Sequence, residues 1–148
     1  MNQTPVLAGI NDTTEVLAEL IRSLSFIGVA PYYIFQCRPA LGNRSFTVPV
    51  EESLRIVQEA FRHCSGLAKR ARFIMSHATG KIEVVGHLEG QVFMRYHQAA
   101  SPKNLGRCMA FTSNESAMWF DDYLEGNLDR REEGFESGPR ASEEETAA

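Results

Sequence analysis

A handful of side chains in this sequence have chemistry to offer. Arg38 ends an apolar run and follows Cys37. Its planar guanidinium suits a carboxylate or a phosphate, which it can grip bidentately. Read structurally, it is a loop arginine reaching solvent. Gln3 carries an amide that both donates and accepts, and it equally suits a strand end satisfied by backbone. Lys81 follows Gly80 and on its own reads as an exposed lysine at the start of a strand. His77 and His97 can shuttle protons or ligate a metal, or serve as satisfied structural residues at strand ends. Cys37, Cys64 and Cys108 lie far apart. They form no Cys-x-x-Cys pair and no four-ligand framework, so no metal site is expected of them. Their odd number suggests reduced thiols and a cytoplasmic home.

The elements that must position these groups alternate early in the chain. Gln3–Ile10 reads as a short strand ending at Gly9. Asn11-Asp12-Thr13-Thr14-Glu15 reads as a helix start with Asp12 as the cap and Glu15 three residues on. Val16, Leu17, Leu20, Ile21, Leu24 and Ile27 then make one apolar stripe at helical spacing, and Gly28 stops it. Val29–Cys37 reads as a strand apolar on both faces, which fits a covered parallel strand. Pro49 opens a second helix with Val50, Leu54, Val57 and Phe61 buried. Further on, Arg72–Met75, Lys81–His87 and Gln91–His97 read as strands, with Glu89-Gly90 as a turn. Asn114–Leu124 reads as a last helix carrying Trp119, Phe120 and Tyr123.

Size and charge bound the possibilities. The chain has 148 residues, too few for a complete α/β barrel of roughly 200 residues or more. Its mean hydropathy is -0.25, and no stretch approaches the roughly 18 apolar residues of a membrane span. The net charge is -4. Residues 1–128 balance twelve acids with twelve bases, while residues 129–148 hold seven acids and three arginines. A neutral body gives no case for nucleic acid. The polar, aperiodic end at 127–148 is expected to be a disordered acidic tail.

Two segments resemble a known family. Asn2-Gln3-Thr4-Pro5-Val6-Leu7-Ala8-Gly9-Ile10-Asn11-Asp12 is similar to the Asn-Gln-…-Leu-x-x-Gly-Val-Asn-Asp segment of the lysine 2,3-aminomutase-like family of radical S-adenosylmethionine enzymes. Pro31-Tyr32-Tyr33-Ile34-Phe35-Gln36-Cys37 resembles that family's Pro-Tyr-Tyr-x-x-Gln-Cys-Asp strand, at matching separation. Phe46-x-x-Pro49 and Ser65-Gly66 match as well. The resemblance implies an α/β chain. Residues 1–66 would be the last two βα units of a partial (βα)6 barrel. A small, mainly-β extension with a C-terminal helix would follow over 67–126.

The resemblance also implies chemistry. The family uses a [4Fe-4S] cluster, S-adenosylmethionine and pyridoxal phosphate to move an amino group between carbons of an amino acid or related amine. Gln3 matches a glutamine that contacts S-adenosylmethionine. Lys81 stands where a lysine after a glycine run carries pyridoxal phosphate, although that run is reduced here to Ala78-Thr79-Gly80. Arg38 and Ser76 stand where the family has aspartates toward a lysine substrate, so the substrate face is altered. The cluster's Cys-x-x-x-Cys-x-x-Cys loop is absent. The expectation is thus a C-terminal part of a divergent aminomutase-like enzyme, inactive alone. Its partners would be the missing N-terminal barrel part and a small amine or amino acid, with a homo-oligomer possible. The alternative is a stand-alone, non-catalytic binding module derived from the family.

Overall fold

The computed structural model describes residues 1–125; the segment expected as an acidic tail lies outside them. Six strands form one sheet in chain order: β1 (Asn2–Val6), β2 (Pro31–Gln36), β3 (Arg72–His77), β4 (Gly80–Leu88), β5 (Gln91–Ala99) and β6 (Cys108–Thr112). Helix α1 (Thr14–Phe26) links β1 to β2, and α2 (Val50–Arg62) links β2 to β3. A short α3 (Phe120–Glu125) follows β6. The first three strands are parallel and the last three pairings are antiparallel. The chain is therefore α/β with a mixed sheet. β3 aligns parallel to β2, with Tyr33 opposite Arg72 and Phe35 opposite Ile74. A helical crossover is the connection that parallel neighbours require, so one sheet runs through residue 66 without a break.

Local chemistry sets the element ends. At α1 the cap is Thr13, not Asp12: the Val16 N–H donates to Thr13 Oγ1 at 3.4 Å. The chain reaches the helix one residue later because Asn11 is occupied. Its Oδ1 accepts from the Leu7 N–H at 2.7 Å and its Nδ2 donates to the Pro5 carbonyl at 2.9 Å, closing the turn after β1. The expected long last helix is also shorter. Asn114 Oδ1 accepts from the Ser116 N–H and hydroxyl. Asp122 Oδ2 accepts from the N–H groups of Met118, at 2.7 Å, and Trp119, at 3.0 Å. Such side-chain bonds compete with helical ones, and the helix begins only at Phe120. Glu89 and Gly90 form the expected hairpin turn, both with positive φ (50° and 74°).

The two faces of the sheet differ. Val6, Ile34, Phe73, Met75, Ile82, Val84, Val92, Met94 and Tyr96 pack with both long helices and with Trp119, Phe120 and Tyr123 in a single core. Alternation along each strand sends the other residues to a face without helices. That face is concave. Tyr33 on β2 and His97 on β5 approach to 2.9 Å between hydroxyl and Nε2, although two strands lie between them. In a flat sheet their backbones would be about 14 Å apart. Register shifts in the β4–β5 ladder, at Lys81/Ile82 and Val84/Gly86, supply bends of the kind β-bulges produce. Ile74 points to this side and is fully buried.

Gly80 shows how tightly the β3–β4 turn is built. Its φ is +143°, and a Cβ there would lie 2.2 Å from the Gln98 carbonyl oxygen. Gly42 has φ +84° with open space around it. Gly80→Ala should lower unfolding stability by about 2 kcal/mol or more, from overpacking plus backbone strain. Gly42→Ala should cost about 1 kcal/mol, from backbone strain alone. Denaturant melts of both variants check this, and equal losses would refute the packing argument at Gly80.

Candidate functional site

The concave face collects three of the four residues singled out from the sequence. Gln3 pairs with Tyr33, and Tyr33 with Arg72, in one row across β1, β2 and β3. Pro5, Phe35, Ile74, Glu83, Arg95 and Cys108 make a second row across all six strands. Ser76 pairs with Lys81 at the end of the β3–β4 hairpin. Residues at paired positions share a face, so Gln3, Ser76 and Lys81 look onto the same hollow.

Lys81 holds a defined place there. Its ammonium group donates to Ser76 Oγ at 3.5 Å. It lies 5.4 Å from the Tyr33 ring centroid and 5.1 Å from that of Phe35, within cation–π range. Tyr33 also donates from its hydroxyl to the Tyr32 hydroxyl at 3.0 Å. Burial, then the Tyr32 hydrogen bond, push the Tyr33 phenol up to about 12. His97 moves the other way. Burial, then the nearby Arg72 cation, hold its imidazole below the ordinary value.

Glu83 and its two arginines were not legible as a group in the sequence. Arg72 donates from Nη1 to both Glu83 oxygens at 3.2 and 3.0 Å, and Arg95 donates from Nε to Oε2 at 2.7 Å. Glu83 is largely buried, while both arginines are about two-fifths exposed. The hydrogen bond to Glu83 raises the Arg95 pKa further. The alternation that exposes all three to one face was visible, but their pairing depends on register.

His77 belongs to a second network. Its Nδ1 accepts from the Thr79 N–H at 3.2 Å, and the Thr79 hydroxyl lies 2.8 Å from the same nitrogen. Nε2 is 3.3 Å from Asp121 Oδ1, and the Thr79 hydroxyl is 2.9 Å from the buried Tyr96 hydroxyl. An Nδ1 that accepts a backbone N–H leaves Nε2 to donate toward Asp121. The chain of contacts ties α3 to the β3–β4 turn, which is a structural task.

Arg38 sits apart, in the loop after β2. It lines a cleft of about 800 Å³ with Arg44, Thr47, Trp119, Asp121 and Glu125. Ligand clefts fall in this size range. The Arg38 carbonyl accepts from Asn43 Nδ2 at 2.8 Å; its guanidinium pairs with no carboxylate among the described residues. Beneath the cleft, Gln36 Nε2 donates to the carbonyls of Val48, at 2.6 Å, and Met118, at 3.2 Å, fixing one wall.

The residues fit the implied cofactors unequally. Gln3 is exposed on the concave face and makes no side-chain bond with another described residue, so its amide is available to S-adenosylmethionine. The cysteines do not fit an iron–sulfur cluster. Cys64 packs in the helix-side core, its thiol raised by burial; Cys37 is buried just after β2; Cys108 is exposed on strand β6. Among the described residues no three His, Cys, Asp or Glu side chains are placed to hold a metal ion. The turn before Lys81 does not fit a phosphate cradle. Where open space would be needed beside Gly80, the Gln98 carbonyl and Ala99 Cα already stand. No described helix is long and apolar enough to cross a membrane.

The depressed His97 pKa predicts a pH effect. Unfolding frees the imidazole to its ordinary value of about 6.5. The unfolded chain then binds the proton first, so stability falls as pH drops from about 6.5 toward the folded value. His97→Gln should remove that part of the slope. A ring titration by NMR should place His97 below 6.5; a value at or above it would contradict the buried, cation-flanked setting.

No family model matches the chain. Curated relatives do. A putative L-lysine 2,3-aminomutase of Aquifex aeolicus is 53% identical over 124 residues, covering 84% of this chain and 33% of the relative. The L-lysine 2,3-aminomutase of Bacillus subtilis is 28% identical over 147 aligned residues, covering 88% of this chain and 29% of its own length. That of Fusobacterium nucleatum is 40% identical over 67 residues, 45% of this chain and 16% of the relative. The chain spans a third or less of the length of these relatives. Its motifs, its α/β sheet and these matches together make it a member of the lysine 2,3-aminomutase-like proteins, corresponding to a C-terminal part of them.

Proposed function

We propose that this chain works as the C-terminal part of a radical S-adenosylmethionine enzyme of the aminomutase type. Its βαβαβ portion would contribute strands to a partial barrel. The observation that carries the reading is the match at 53% identity over 84% of the chain, against only 33% of the relative. Two features of the fold support it. The sheet curls around a polar, helix-free face, as a barrel lumen requires. Among the described strands, β1 is bonded on one side only, which leaves an edge to take a preceding parallel strand.

In enzymes of this type, reductive cleavage of S-adenosylmethionine at a [4Fe-4S] cluster supplies the radical that starts the reaction. In this reading Gln3 orients S-adenosylmethionine through its amide. Arg38 and Ser76 face the substrate. An arginine repels the distal ammonium of lysine and attracts an oxyanion, so the substrate is an amine or amino acid other than lysine. The cluster ligands and the remaining strands come from the partner segment, and the assembled protein acts in the cytoplasm. No step is assigned to pyridoxal phosphate.

Anaerobic assays of 5′-deoxyadenosine formation test the reading. The purified chain alone, reconstituted with iron and sulfide, should form none. Mixed or fused with the N-terminal two-thirds of the Aquifex aeolicus relative, it should form it. Gln3→Ala in that assembly should lower the rate about tenfold or more, as loss of a positioning contact does. Product from the chain alone would overturn the proposal. A soluble monomer that unfolds cooperatively and never complements would favour a stand-alone binding module.

A further inference from the structure

Lys81 is the residue that the family reading would make a covalent carrier of pyridoxal phosphate, yet its surroundings serve a different purpose. A phosphate next to the lysine needs a backbone loop that opens around it, the usual use of glycines. Here Ala78 and Thr79 alone join β3 to β4, because His77 already pairs with Gly80. Thr79 is held from several sides. Its N–H and hydroxyl both contact His77 Nδ1, its hydroxyl contacts Tyr96, and its carbonyl accepts from the Ala100 N–H at 2.8 Å. The glycine is retained because the β5 backbone presses on it: a Cβ would meet Gln98 O at 2.2 Å and Ala99 Cα at 2.8 Å. Gly80 is there for strand packing, and the turn has no slack.

The ammonium group itself is held as a charge. It lies against the Tyr33 and Phe35 rings and the Ser76 hydroxyl, and no described carboxylate pairs with it. The strands of the concave face carry Arg72, Lys81 and Arg95 against Glu83. Glu83 takes one donor nitrogen from each arginine, which leaves the other guanidinium N–H groups free of it. Three cations and one carboxylate in a hollow lined by aromatic rings leave a positive excess. A concave surface of one sign concentrates counter-ions.

We infer that Lys81 acts through its charge: together with Arg72 and Arg95 it holds a small oxyanion, a carboxylate or a phosphate, on the concave face, and it does not carry pyridoxal phosphate as a Schiff base. The contrast with the cofactor rests on the family reading. The oxyanion site rests on the charges of this face alone.

Two measurements on the full chain test this. The first follows the His97 ring signals by NMR during titration with inorganic phosphate and, separately, with succinate. At least one should bind saturably in the millimolar range, and which one binds names the source of the oxyanion. Lys81→Ala should weaken that binding about fivefold, the size of one partly exposed charge contact, and Lys81→Arg should stay within about twofold of wild type. Arginine keeps the charge and cannot form the Schiff base. The second measurement exposes the chain to pyridoxal phosphate and borohydride and reads labelling at its three lysines, Lys69, Lys81 and Lys103. Lys81 should label no faster than the other two, and this arm needs no variant. Saturable binding of neither anion, or equal loss in Lys81→Ala and Lys81→Arg, would overturn the oxyanion site. Preferential labelling of Lys81 would overturn its role as a pure charge. Failure of the complementation assay would leave both readouts intact, so the two proposals can fail separately.

Discussion

The contact between Tyr33 and His97 sets the shape on which the rest of the molecule depends. It joins β2 to β5 across two intervening strands. That geometry requires the sheet to curl toward its helix-free side. The curl gives the two faces different work. The convex face takes α1, α2 and the aromatic residues of the terminal segment, and almost all of the apolar core lies there. The concave face keeps polar and charged groups that would be costly to bury without partners. The less exposed of them have one: Glu83 between two arginines, Lys81 against two rings and a hydroxyl, Tyr33 between Tyr32 and His97.

In the proposed reading the same curvature would relate the fold to the relatives. A flat sheet with helices on one side would leave a broad polar surface with no enclosed volume. A curled one encloses a hollow, which in the proposed reading would be a segment of lumen whose wall continues past β1, bonded on one side only among the described strands. The altered residues point the same way. The family resemblance would set substrate-facing aspartates at Arg38 and Ser76, and the Lys81 turn is locked by His77, Thr79 and the β5 backbone. In the proposed reading the charge of this part of the wall would have shifted toward positive on a retained scaffold.

Much of this was legible in the residues because its causes are local. The apolar stripes of α1 and α2, the stop at Gly28 and the Glu89-Gly90 turn follow from spacing and backbone preference. The motif segments carried the family, and three of the four marked site residues do share a face. What stayed hidden depends on distant partners. Asp12 looked like the α1 cap, but Asn11 folds back on Leu7 and Pro5 and passes the role to Thr13. Trp119, Phe120 and Tyr123 looked like one long helix, but Asn114 and Asp122 spend their side chains on nearby backbone. The parallel pairing of β3 with β2 and the Glu83 network are matters of register, which no single segment encodes. Gly80 looked like a remnant of a cofactor loop; only the neighbouring strand shows why glycine is needed.

The concavity of the helix-free face underlies the hollow, the oxyanion site and the proposed barrel wall alike. The most direct measurement is a search for nuclear Overhauser contacts between the Tyr33 and His97 rings in the full chain. With ring centroids 5.7 Å apart, cross-peaks between the two rings are predicted, alongside those of the Tyr33–Arg72 and Ser76–Lys81 pairs. Cross-peaks for the paired strands without any between Tyr33 and His97 would mean a flat sheet, and would contradict the hollow, the oxyanion site and the barrel wall together.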